Sequence, residues 1–90
     1  MDQVTISVFD KETGDEIYGN IEAWIKISRD SWCGFIDSSA EVKLGTFYII
    51  ETENGLSGTV CIGKTIYDPS FGKVFEFRGH GAPIQNNEPQ

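Results

Sequence analysis

The one histidine of this chain, His80, stands between two glycines in the stretch FEFRGHGAP (residues 75–83), with Arg78 two positions before it. Imidazole beside guanidinium is a pairing that general acid–base or anion-binding chemistry uses. A general base needs a partner that orients it and a pocket that holds its substrate. Cys33 and Cys61 both stand inside apolar runs, where a thiol stays protonated, and no serine lies in a G-x-S-x-G elbow. Gly79 and Gly81 are expected to end a strand after Arg78 and leave His80 at its exit. Arg78 and His80 then mark the one candidate small-ligand or enzymatic site, at a barrel mouth. The balance of residues favours a non-enzymatic protein, with no catalytic residue assigned.

Oxygen ligands cluster in DKETGDE (residues 10–16), where Asp10, Glu12, Asp15 and Glu16 share one turn. An EF-hand loop wants glycine sixth and glutamate twelfth, whereas here Gly14 is fifth and Ile21 twelfth. The cluster is expected to be a hydrated hairpin tip, with no metal site. Neither G-x-x-x-x-G-K-[ST] nor a helix-opening G-x-G-x-x-G occurs, so those nucleotide-binding routes are closed. No cofactor is expected. The cysteines form no C-x-x-C and are read as free thiols.

Seven Lys and Arg against 14 Asp and Glu leave a formal charge of −7. The cations are scattered, which argues against direct nucleic-acid binding, since that needs clustered Lys and Arg to displace counterions. Six of the acids fall in residues 1–22, against Lys11 alone. The chain opens acidic and alternating, without a leader pattern, and carries no run of the ~18–20 apolar residues a membrane helix needs. The cytoplasm is therefore the expected compartment.

These residues must be positioned by strands. Period-two alternation runs through residues 4–9, 17–28, 31–37, 46–53, 56–67 and 73–79, separated by polar or glycine-containing turns. No stretch makes a convincing amphipathic helix, and SSAEVKL offers one turn at most. Asn54-Gly55 predicts a two-residue type I′ hairpin pairing Glu53 with Leu56, Ile49 with Val60 and Phe47 with Ile62. In the next hairpin, pairing Asp68 with Lys73 gathers Phe75 and Phe77 on the Val60/Ile62 face. The alternative register opposes Lys64 to Glu76. The expected fold is all-β: an antiparallel meander of about six strands, closed into a small barrel or two-layer roll so that no long edge is left open. One β domain spans residues 1–81, with a loosely ordered tail at 82–90.

Within residues 17–28, Ile21, Ala23, Ile25 and Ile27 must point one way. Tyr18 and Trp24 would share the other face with polar neighbours. These residue types are enriched at binding hot spots, which makes that face the leading candidate for contact with a protein partner. A protein-interaction module is thus the first expectation. An acidic inhibitor or nucleic-acid mimic, of the phage type, is the second. A ligand site near Arg78 and His80 is the third.

Overall fold

Alternating Ile and Val residues produce seven antiparallel strands in the computed structural model, which describes residues 1–85. They are β1 (Asp2–Asp10), β2 (Glu16–Ser28), β3 (Ser31–Asp37), β4 (Phe47–Thr52), β5 (Leu56–Asp68), β6 (Gly72–Gly79) and β7 (Ile84–Gln85). β1–β2–β3 form one meander and β4–β5–β6 another. Pairing of β4 with β1 and of β3 with β6 closes these six strands into a barrel. The all-β, closed architecture expected from the alternation is what the chain adopts. The short β7 adds to β5, with Ile84 opposite Ser57 and Gln85 opposite Leu56, so two residues of the expected tail are paired there. The rest of the expected tail, residues 86–90, lies outside the described residues.

Ile6, Val8, Ile36, Ile50, Ile62 and Phe77 are buried in the barrel interior. Two plugs keep water from its ends. The segment 38–46 crosses one end, burying Ala40 and Val42, and is pinned where the Lys43 N–H donates to the Tyr48 hydroxyl at 3.0 Å. Trp32 fills the other end, edge-on to Phe77 with ring centres 5.9 Å apart. Its indole needs glycine beneath it: a Cβ on Gly58 would sit 2.8 Å from Cζ2, and one on Gly79 would strike Cδ1 and Nε1.

Two hairpins depart from the predicted registers. The β4–β5 loop has three residues rather than two. The Gly55 N–H donates to the Thr52 carbonyl at 3.1 Å, and the Leu56 N–H to the Thr52 hydroxyl at 2.9 Å. Within the loop only Gly55 takes positive φ, at 93°. This matches a type I turn followed by a left-handed residue. Tyr48 therefore opposes Val60, and Ile49 opposes Thr59. The one-residue shift exchanges the faces, sending Tyr48, Ile50 and Thr52 inward and Phe47 and Ile49 outward.

In the β5–β6 hairpin, Asp68 opposes Gly72 and Lys64 opposes Glu76, the alternative register. A bulge between Ile62 and Lys64 then shifts the pairing so that Ile62 opposes Phe77. Phe75 and Phe77 thus join Val60 and Ile62 in the core, as expected, but through a different pairing. The extra residue costs a ladder bond and lets the long hairpin twist off the barrel wall.

Candidate functional site

The expected Tyr18/Trp24 face does not exist as one surface. Ile21 opposes Ile6, yet Tyr18 opposes Val8, so an irregularity lies between them at Gly19 and Asn20, where Asn20 takes φ 55°. It reverses the alternation. Tyr18 turns to the inner side, packs on the core and brings its hydroxyl to 3.5 Å from the Glu41 carbonyl. Trp24 stays outside, between Gln3 and Phe35 on neighbouring strands. It is half-buried, because the β5–β6 tip folds back over it. Asp68 Oδ1 accepts the Ser70 and Phe71 N–H groups at 2.7 and 3.1 Å, which shapes the tip. Phe71 then lies on Trp24 with ring centres 4.6 Å apart, and 5.8 Å from Phe35.

Tyr18 instead lines a groove of about 750 Å³ at the end of the barrel crossed by residues 38–46. The β1–β2 turn forms one wall, with Asp10, Glu12 and Ile17. The segment from Glu41 to Tyr48 forms the other. Ile17 and Phe47 are each 41% exposed and meet on this groove. Three carboxylates (Asp10, Glu12, Glu41) and two ammonium groups (Lys11, Lys43) surround the apolar strip. The Asp10 carboxyl accepts the Glu12 and Thr13 N–H groups at 2.8 and 2.9 Å. Those bonds, that from Thr13 first, hold its pKa below the usual 3.8, so it remains ionised. Among the described residues no group of three or more His, Cys, Asp or Glu side chains is arranged to hold a metal ion.

Arg78 and His80 both face outward, but on different surroundings. His80 is exposed just past β6, its N–H donating to the Thr59 carbonyl at 2.8 Å and its ring edge-on to Phe47 at 5.3 Å. Arg78 lies between Cys33 on β3 and Cys61 on β5. The two thiols are free and two strands apart, roughly 9–10 Å, which exceeds the ~7 Å reach of a disulfide. No helix among the described residues is long and apolar enough to cross a membrane.

Phe47 and Ile17 were not among the residues the sequence singled out. The two-residue turn put Phe47 opposite Ile62 on one apolar face of the hairpin, and Ile17 was indistinguishable from the other alternating isoleucines. No family model, no curated protein and no solved structure matches this chain, so its function is argued from these sites alone.

Proposed function

We propose that the chain is a non-enzymatic protein-binding module whose contact surface is the groove between the β1–β2 turn and residues 41–48. One observation carries this reading: Ile17 and Phe47 stand exposed on the same groove, beside Tyr18 and Tyr48. Scattered apolar residues on a surface need no explanation, whereas apolar side chains gathered in a concave strip rimmed by charge are how binding surfaces are built. Tyrosines supply contact area at low entropic cost. The acids of the groove and the net charge of −7 suit a segment that alternates apolar with basic residues, and would speed its encounter. Free thiols suit a reducing compartment such as the cytoplasm. The acidic-inhibitor reading has less support, because the Asp10 carboxylate is engaged by its own turn.

The test uses unstructured peptides that alternate Leu or Phe with Lys, set against matched peptides carrying Glu. The wild-type chain should bind the basic set, more weakly as salt rises. The pair Ile17→Ser and Phe47→Ser should abolish binding while the chain stays folded at the assay temperature, at a cost of about 1 kcal/mol for each strand residue replaced. Binding retained by that pair, or equal binding of the acidic set, would reject the groove as the contact surface.

A further inference from the structure

The opposite end of the barrel carries a second, differently built pocket. Lys26 on β2 opposes Cys33 on β3, and Cys33 opposes Arg78 on β6, so the three form one row across the outer wall. Alternation points all three the same way, which puts the two cationic arms on either side of a small thiol. Ser28 and Ser31, opposed at the end of the same hairpin, extend the row toward Trp32. Together with Trp32 and Gly79 these residues line a pocket of about 410 Å³. No carboxylate lines it, although the chain has 14. Among the described residues neither Lys26 nor Arg78 is held in an ion pair.

Trp32 closes the floor of this pocket. Trp32 is only 3% exposed, and its Nε1–H has no acceptor among the described residues. Buried indole N–H groups normally find one. Nε1 lies against Gly79, another residue of the pocket, at the place where any side chain would strike it. The Ser31 hydroxyl donates to the Ser28 carbonyl at 3.0 Å, which leaves the Ser28 hydroxyl as a further donor. The side chains that line the site carry two positive charges and no negative one.

We propose that this pocket binds a small phosphate-bearing molecule. Arg78 and Lys26 flank the phosphoryl oxygens, the Ser28 hydroxyl donates to the same group, and Cys33 lies between the two cations beneath it. Two cations in one row match a dianion better than a single carboxylate, and guanidinium presents a planar fork to phosphate oxygens. The site lies apart from the groove and shares no residue with it.

The chain has two tryptophans, so its ¹H–¹⁵N spectrum holds two indole signals, and Trp24 serves as an internal control. Titration with phenyl phosphate at constant ionic strength should shift the Trp32 signal saturably, because the indole borders the pocket through Gly79, while the Trp24 signal stays in place. Phenol should move neither, and benzoate should bind more weakly. Lys26→Met and Arg78→Met, both at exposed positions, should each weaken phenyl phosphate about tenfold or more with melting unchanged. Arg78→Lys should restore part of the loss. A Trp32 signal unmoved at about 10 mM ligand, a range in which even millimolar affinity saturates, would overturn the proposal. So would undiminished affinity in Arg78→Met, or benzoate binding as tightly as phenyl phosphate.

Discussion

Ile49 and Ile50 are adjacent in β4 and chemically identical, so replacing each in turn by alanine isolates the face it occupies. Ile50 has no exposed surface and lies opposite Gly58, whereas Ile49 is half-buried on the outer wall opposite Thr59. Ile50→Ala strips buried carbons from the interior and leaves a void, at a cost of about 2–5 kcal/mol. A domain of 90 residues has roughly 4.5–13 kcal/mol in all, at ~0.05–0.15 per residue. A loss of about 3 kcal/mol lowers the midpoint by ~12–24 °C, at roughly 4–8 °C per kcal/mol for a chain this size. Ile49→Ala gives up strand propensity and partial contact only, about 1 kcal/mol or ~4–8 °C. Circular dichroism melts of both variants beside the wild type provide the comparison. Equal losses, or a larger one at Ile49, would mean that β4 pairs in the two-residue register and that Phe47 belongs to the core. The groove would then lose one of its walls.

Three further outcomes follow from the geometry. Phe71→Ala should cost about 1–2 kcal/mol and should couple to Trp24→Ala by ~0.5–1.5 kcal/mol in a double-mutant cycle, because the two rings lie 4.6 Å apart. Independent effects would show that the β5–β6 tip does not cover Trp24. Asp10 should make stability pH-dependent: with its folded pKa held below 3.8, its contribution is complete above 3.8 and disappears as pH falls through the lower folded value. Asp10→Asn should remove that component from acid titrations followed by melting temperature, and an unchanged acid limb would refute the assignment to Asp10. Thr52→Ala should destabilise by about 1 kcal/mol, since it removes the hydroxyl that accepts the part-buried Leu56 N–H, and a neutral result by urea denaturation would refute the three-residue loop.

The strand positions and the inward set from Ile6 to Ile25 were legible in the sequence, because period-two alternation states them directly, whereas closure followed from the need to cover open edges and was left between a barrel and a two-layer roll. Registers were harder, since a single hydroxyl or one extra residue decides them. Thr52 lengthens the Asn54-Gly55 loop by capturing the Leu56 N–H, and nothing in local composition distinguishes it from any other strand threonine. The irregularity at Gly19–Asn20 turns Tyr18 inward, and a lone glycine in a strand does not reveal which way the chain resumes. Arg78 was visible as a candidate. Its partners Lys26 and Cys33 were not, because β3 pairs with β6 across the barrel closure rather than with its successor in sequence. Phe71 read as a turn residue, yet the Asp68 cap folds it onto Trp24.

The most direct test of the protein-binding reading is to map where a basic–apolar peptide lands. Titration of ¹⁵N-labelled chain with a Leu/Lys-alternating peptide should perturb the amides of residues 10–18 and 41–48, leaving those around Trp24, Phe35 and Phe71 unmoved. Perturbations centred on Trp24 and Phe71, or none at all, would contradict it and remove the groove as the working surface of this protein.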